Sequence, residues 1–124
     1  MAAPNIINVT TIVGKTTGIT PANTTANVLL ANPASSGKVF KINLIAAANI
    51  DGTAAVDTTI AFNTAAAGSG TSFAIVSTAS VPADASLIVI DKATTFYLEE
   101  DTSIIVTSSV SAKISYLVSY EEIS

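Results

Sequence analysis

Apolar and polar residues alternate in short runs along most of this chain, and the stretch Val81–Val106 shows the pattern most clearly. Three runs rich in β-branched, leucine or aromatic residues are separated there by polar residues, at Leu87–Ile90, Phe96–Leu98 and Ser103–Val106. Runs of this kind, punctuated by Pro, Asp, Ser and Thr, are typical of short antiparallel strands. The stretch therefore predicts three strands joined by two turns.

The same pattern predicts strands over most of the remaining chain. Val56–Asn63 and Lys113–Glu122 alternate most regularly, which indicates strands with one buried face. Further strands are predicted at Ile6–Val13, Thr24–Ala31, Lys38–Ala48 and Ser72–Val81. No segment has a useful helical period. We therefore predict one all-β domain over residues 1–124, an antiparallel β-sandwich of eight to nine short strands and of jelly-roll or Ig-like type.

The inward-facing positions of these strands define the predicted core. They are the apolar and aromatic members of the alternating runs, which share one face of each strand. The predicted core consists of Phe40, Ile42, Leu44, Ile60, Phe62, Phe73, Ile75, Leu87, Val89, Phe96, Leu98, Ile104, Val106, Ile114, Tyr116 and Val118.

The segment Met1–Pro21 combines Gly and Pro with a few apolar residues, and the overlapping stretch Gly14–Asn23 is predicted to be a loop or an extended arm. Gly and Pro resist pairing in the middle of a sheet. The segment is therefore predicted to lie on a neighbouring subunit, where it adds a strand to an exposed sheet edge. An ordinary first strand of the sandwich is the alternative, and the sequence leaves both open. The candidate partner-binding residues of this arm are Ile6, Ile7, Ile12 and Val13.

The composition excludes several kinds of chemistry. The chain contains no Cys, His, Trp or Arg, and all five of its basic residues are Lys. Without His and Cys it has no imidazole or thiolate for zinc, no proton shuttle near neutral pH and no Ser-His-Asp triad. We therefore predict no catalytic residue, no cofactor and no metal site, and we predict that the protein is not an enzyme.

Charge and hydropathy narrow the class of partner. A net charge of −4 without any Arg does not provide the basic surface that nucleic-acid binding needs. Every apolar run is shorter than the roughly 18 residues of a membrane-spanning helix, and the N-terminus resembles no conventional signal peptide. We therefore expect a soluble, unprocessed chain. Because only 11% of the residues are charged, we expect a partner protein to cover part of the surface.

Three short motifs are explained more simply by structure than by ligand binding. Gly14-Lys15-Thr16 resembles the end of a phosphate-binding loop, but it lacks the earlier Gly and a following helix. The acidic run Glu99-Glu100-Asp101 lacks the ligand spacing of a calcium loop and is interpreted as a solvated turn. Tyr97, Tyr116 and Tyr120 stand at alternating positions of predicted strands, which favours core or interface positions over a sugar-binding surface.

Two segments, Val81–Thr107 and Ile114–Ile123, resemble small β-sandwich virion proteins of tailed bacteriophages, especially those of marine cyanophages. The shared pattern is a Pro-containing turn, a strand, a Tyr-Leu-Glu-Glu hairpin and a closing Ser-Tyr-Glu-Glu-Ile strand. The segments NVTTIVGKT and SSGKVFKIN are also similar to this group. One departure is visible, because Asp101 stands where the family-like hairpin has Gly. Asp tolerates the left-handed conformation better than most residues, so we expect the turn to be kept.

This resemblance implies a structural role in a virion. It implies a capsid decoration (cement) protein that binds the major capsid protein on the outer surface of the head and stabilises contacts between capsomers. A homotrimer at a three-fold position would suit that role. A tail, neck or fibre component is the alternative, and a carbohydrate-binding module that uses Tyr97, Tyr116 or Tyr120 is the second alternative.

Overall fold

The computed structural model describes residues 11–91 and 93–124, and within them the chain forms β-strands and no helix. No helix in these residues is therefore long and apolar enough to cross a membrane. The nine strands are β1 (Ile12–Ile19), β2 (Asn27–Asn32), β3 (Val39–Asn49), β4 (Val56–Asn63), β5 (Ser72–Val81), β6 (Ser86–Ile90), β7 (Phe96–Leu98), β8 (Thr102–Ser108) and β9 (Ile114–Ile123).

The strands form two antiparallel sheets. Sheet A has the order β1-β9-β3-β6, with β7 also pairing with β3, and sheet B has the order β2-β8-β4-β5. The first four strands therefore pair with the last five in nested order, β1 with β9, β2 with β8, β3 with β6 and β7, and β4 with β5. This is the strand order of a jelly roll in which two short strands take the place of one. The predicted all-β sandwich is confirmed, and the pairing selects the jelly roll over the Ig-like arrangement.

The predicted strands agree with the structure except near the N-terminus. The loop predicted at Gly14–Asn23 is wrong in its first half, because β1 continues through both Gly14 and Gly18 as far as Ile19. Gly18 is required there, since a Cβ at this position would lie 2.7 Å from the carbonyl oxygen of Tyr116. Glycine therefore permits the close pairing of β1 with β9 instead of ending the strand.

The core lies between the two sheets and contains most of the predicted residues. Five predicted positions are half-buried and pack against it, namely Phe62, Ile75, Leu87, Val89 and Phe96. The prediction for Leu44 is wrong, because a β-bulge between Ile42 and Leu44 shifts the alternation of β3 by one residue. Ile45 and Ala47 are fully buried as a result, and Leu44 is only partly covered. A bulge places two residues of one strand opposite one residue of its partner, which reverses the inward positions beyond it.

The prediction for Phe73 is also wrong, because this side chain is 59% exposed. Phe73 lies on β5, the edge strand of sheet B, where it pairs with the half-buried Phe62 of β4. The register of this pair shifts on both sides of Ile60. Two shifts of one residue each cancel, so Phe73 stays on the same face as Phe62. Its exposure comes instead from its place at the start of an edge strand, which has no neighbouring strand on one side.

Three buried asparagines close the ends of consecutive strands. Asn32 ends β2, Asn49 ends β3 and Asn63 ends β4, and each is at most 2% exposed. The side-chain Nδ2 of each asparagine donates two hydrogen bonds, and its Oδ1 accepts at least one from the turn that follows. Buried amides are tolerated when all their groups are paired in this way. These side chains therefore hold the turns in place.

The turn between β7 and β8 has the conformation expected from the sequence. Asp101 has a φ of 58°, in the left-handed region that Asp tolerates better than most residues. Its backbone N–H donates to the carbonyl of Asn32 at 2.8 Å. Its side-chain Oδ1 accepts the N–H of Ala66 at 3.2 Å, so the turn also contacts the loop after β4.

Changing Asp101 to Val should lower the free energy of unfolding by about 1–2 kcal/mol, because a β-branched residue is strained at positive φ. Asp101→Gly should remain close to the parent, since relief of backbone strain offsets the lost contact with Ala66. Urea denaturation measures both variants. Equal stability of the Val and Gly variants would contradict the left-handed turn.

Candidate functional site

The outer face of sheet A carries an uncharged apolar row across four strands. The register aligns Gly18 of β1, Leu117 of β9, Ala46 of β3 and Ile88 of β6. Leu117 is 42% exposed and Ile88 is 53% exposed, whereas their strand neighbours on the inner face are buried or half-buried. The centre of the face therefore presents apolar side chains between residues too small to cover them.

Hydroxyl pairs flank this apolar row on the β1 side. The Oγ1 of Thr16 donates to the Oγ of Ser119 at 3.4 Å, and the Oγ1 of Thr20 donates to the Oγ of Ser115 at 3.3 Å. These residues are short and carry no charge. A partner that covers this part of the face therefore buries no charged side chain of β1 or β9. Association here avoids the free-energy cost of removing charges from water.

One end of the same face is charged and concave. There the register aligns Gly14 of β1, Glu121 of β9, Lys41 of β3 and Tyr97 of β7. An open cavity of about 500 Å³ lies at this end, lined by Lys41, Asn43, Thr95 and Glu121. Glu121 Oε2 lies 3.9 Å from Lys41 Nζ and accepts a 3.4 Å hydrogen bond from Asn43 Nδ2. Both contacts are long, so the Glu121 carboxylate keeps accepting capacity for a ligand.

Glu122 forms the two shortest ion pairs among the described residues. Its carboxylate lies 2.6 Å from Lys38 Nζ and 3.1 Å from Lys15 Nζ. The hydrogen bond from Lys38 is the main cause of a lowered pKa for this carboxyl, and Lys15 lowers the pKa further against the opposing effect of burial. The cluster joins β1 and the start of β3 to the end of β9.

Glu122→Gln should lower the free energy of unfolding at pH 7 by about 0.5–1 kcal/mol, since solvent and salt screen the lysines. Because the pKa of Glu122 is lowered in the folded state, the ion pairs stabilise the fold at pH values above the ordinary carboxyl pKa of 4.5. This stabilisation is lost as the pH falls through the folded-state pKa. The difference from the parent should therefore vanish in acid. Glu121→Gln is the matched control and should change less, and a pH-independent difference for Glu122→Gln would contradict the ion pairs. Urea denaturation between pH 3 and 7 measures this.

β1 is a regular edge strand. Its eight residues pair with β9 without a register shift, whereas shifts interrupt the pairing of β2 with β8, of β5 with β4 and of β6 with β3. Ile12 and Val13 lie at its start and are exposed. Ile6 and Ile7 lie outside the described residues, so the arm stays a prediction. An uninterrupted edge of this kind is suited to pairing with a strand from a partner.

The remaining sequence motifs have structural explanations. Gly14-Lys15-Thr16 lies inside β1 and precedes no helix, so the motif does not form a phosphate-binding loop. Among the described residues, no group of three or more acidic, His or Cys side chains is arranged to hold a metal. The interpretation of Glu99-Glu100-Asp101 as a solvated turn is wrong for Glu100, because its two carboxylate oxygens are buried and have no hydrogen-bond partner among the described residues. Glu99 and Asp101 are exposed.

The three tyrosines differ in accessibility. Tyr116 and Tyr120 belong to the core, and the hydroxyl of Tyr116 contacts Thr58 and donates to the carbonyl of Thr107 at 3.1 Å. Burial raises the pKa of Tyr116. Tyr97 alone of the three is exposed, at 46%. A sugar-binding surface that uses Tyr116 or Tyr120 is therefore excluded, whereas one that uses Tyr97 is compatible with the structure.

Comparisons with known proteins identify no family. No family model matches the chain, and no curated protein matches it. A solved chain from the disulfide-linked pili of Bacillus endospore appendages matches with a TM-score of 0.49 and 21% identity, over 90% of this chain and 87% of that chain. A match at this level carries no functional inference.

Proposed function

We infer that this chain is a non-catalytic structural protein that works by packing against other protein subunits. The observation that carries this proposal is the uncharged centre of the outer face of sheet A, where Leu117 and Ile88 are exposed among small residues. Exposed apolar rows on a rigid sheet favour burial against protein, and this one sits on a surface with few charges. The regular edge of β1 offers a second contact through main-chain hydrogen bonds.

The specific role that we propose is that of a bacteriophage capsid decoration protein. The resemblance of Val81–Thr107 and Ile114–Ile123 to phage virion proteins supports it. In this role the outer face of sheet A binds the major capsid protein or a second copy of the chain, and a homotrimer occupies a three-fold position on the head. A low-copy tail, neck or fibre component is the alternative.

Mass spectrometry and electron microscopy of intact virions test the proposed location. Density on the outside of the head, at a copy number that matches the capsid symmetry, is the expected result. Density at the tail would favour the alternative, and absence of the chain from particles would overturn both.

A pair of variants tests the surface itself. Leu117→Lys combined with Ile88→Lys should abolish association with heads or with other copies, because the charges would be buried without partners. Phe73→Lys is the matched control, since it charges an equally exposed apolar side chain on sheet B. Both proteins should keep the parent melting temperature within a few degrees. Normal binding by the double variant would contradict the proposed surface.

Truncation separates the arm from the first strand. Deleting residues 1–10 leaves β1 in place, whereas deleting Met1–Pro21 also removes the strand that pairs with β9. If the arm acts in assembly, the shorter deletion should stay folded, as measured by circular dichroism, and should lose binding to heads. An unfolded protein, or unchanged binding, would contradict the arm.

A further inference from the structure

We propose that the charged end of the outer face of sheet A is a binding groove for a neutral saccharide. This site goes beyond the structural role above, because it requires a small polyhydroxyl ligand and no protein partner. The groove combines the lining of the open cavity with two flanking residues that share its row. Its residues are Gly14, Lys41, Asn43, Thr95, Tyr97 and Glu121.

The β-bulge in β3 lies inside this groove. Ile42 pairs with Tyr120 and Leu44 pairs with Ser119, so Asn43 is the extra residue of the bulge. Its amide lines the cavity and donates to Glu121. Bulges occur preferentially where a strand must redirect a side chain towards a site. The amide offers both a donor and an acceptor, which suits a sugar hydroxyl that also donates and accepts.

Gly14 is the second independent observation. A Cβ at this position would meet no atom within 4 Å, and its φ is not in the left-handed region, so the fold of the chain does not require glycine here. Glycine also weakens a strand. Its position beside Glu121 leaves that side of the groove open, as expected where a ligand approaches the backbone closely.

Tyr97 supplies an aromatic surface at the opposite end of the row. It lies directly across from Lys41 in the pairing of β3 with β7, so the two side chains are neighbours on the same face. The exposed ring has a negative π face, on which the C–H groups of a pyranose ring can pack. The groove therefore offers an apolar platform next to a set of polar groups, a combination that fixes ligand orientation.

The charges of the groove select a neutral ligand. Among the described residues of the groove, Lys41 is the one lysine and Glu121 the one carboxylate, and the two are paired. A phosphate or a metal ion would need several like-charged partners, which the lining does not provide. The donors and acceptors of Lys41, Asn43, Thr95 and Glu121 instead match a set of vicinal hydroxyl groups.

Amide chemical-shift titration tests the groove with a panel of neutral mono- and oligosaccharides of glucose, galactose, mannose and N-acetylglucosamine, and with sialylated and sulfated sugars as the charged comparison. At least one sugar should shift the resonances of the groove. Tyr97→Ala and Glu121→Gln should each weaken binding about tenfold. Gly14→Leu should abolish binding and keep the parent melting temperature, because its side chain fills open space.

Phe73→Ala is the matched control, since it removes an exposed aromatic side chain on sheet B, away from the groove, and should bind like the parent. The proposal is overturned if no neutral sugar shifts the groove at millimolar concentration. It is equally overturned if only sialylated or sulfated sugars bind, or if Gly14→Leu binds like the parent. Loss of binding by Phe73→Ala would place the ligand on sheet B and overturn the groove as well.

Discussion

Replacing Phe40 with alanine should lower the free energy of unfolding by about 3–5 kcal/mol, because it leaves a cavity between the two sheets. Phe40 is only 5% exposed, and its ring lies 5.0 Å from that of Tyr120, centroid to centroid. The loss of this aromatic pair adds to the lost burial. Such a change is a large share of the stability of a small domain. Thermal and urea denaturation measure it.

Phe73→Ala is the matched control for this prediction. The sequence pattern assigns both phenylalanines to the core, but the structure leaves Phe73 more than half exposed. We therefore expect Phe73→Ala to change the free energy of unfolding by at most about 0.5 kcal/mol. Phe62→Ala should lie between the two, because Phe62 is half-buried against the core. Equal losses for Phe40→Ala and Phe73→Ala would show that the register of β5 is wrong.

Asn63→Ala should lower the free energy of unfolding by about 2–4 kcal/mol. Its amide donates to the carbonyl of Gly70 at 3.2 Å and to the Oγ of Ser72 at 2.9 Å, and its oxygen accepts the N–H groups of Ala65 and Gly70 at 2.9 Å. Alanine removes all four contacts and leaves backbone groups of the loop without partners. Asn63→Asp should also destabilise, because a carboxylate would face the carbonyl of Gly70 where the amide donates.

The control for Asn63 is another asparagine on the neighbouring sheet. Asn43 is partly exposed and makes one 3.4 Å contact, so Asn43→Ala should cost less than about 0.5 kcal/mol. Urea denaturation compares the variants, and hydrogen exchange at Ala65 and Gly70 reports the loop directly. An Asn63→Ala protein as stable as Asn43→Ala would contradict the role of the buried amide.

The local pattern of the sequence was sufficient to locate most strands. The bounds predicted for Val56–Asn63, Ser72–Val81 and Phe96–Leu98 agree with β4, β5 and β7 residue by residue. These runs combine β-branched or aromatic residues with turn residues at both ends, and both signals are local. Strand position therefore follows from neighbouring residues alone.

The facing of residues within a strand was less predictable. The alternation of Phe40, Ile42 and Leu44 suggests one continuous inward row, but the bulge at Asn43 interrupts it. A bulge depends on the pairing with β9, which lies far along the chain, so no neighbouring residue signals it. The exposure of Phe73 also depends on pairing between distant segments, because that pairing decides which strand forms the edge of sheet B.

The candidate groove could not be predicted from sequence for a related reason. Gly14, Lys41, Tyr97 and Glu121 come from four strands, and only the register of sheet A places them in one row. The sequence singles out Tyr97 but does not distinguish it from the buried tyrosines. Gly14 is misleading because a glycine beside Lys and Thr is typical of a loop as well as of an open edge strand.

The nested pairing of the strands determines the order in which the sandwich can form during synthesis. β4 and β5 meet across a short loop, whereas Thr16 of β1 and its partner Ser119 of β9 are 103 residues apart. Contacts between distant residues form slowly, because loop closure must precede any gain from pairing. Until β9 has been synthesised, β1 and one side of β3 therefore stay unpaired in the nascent chain, and unpaired strand edges of this kind are prone to aggregate.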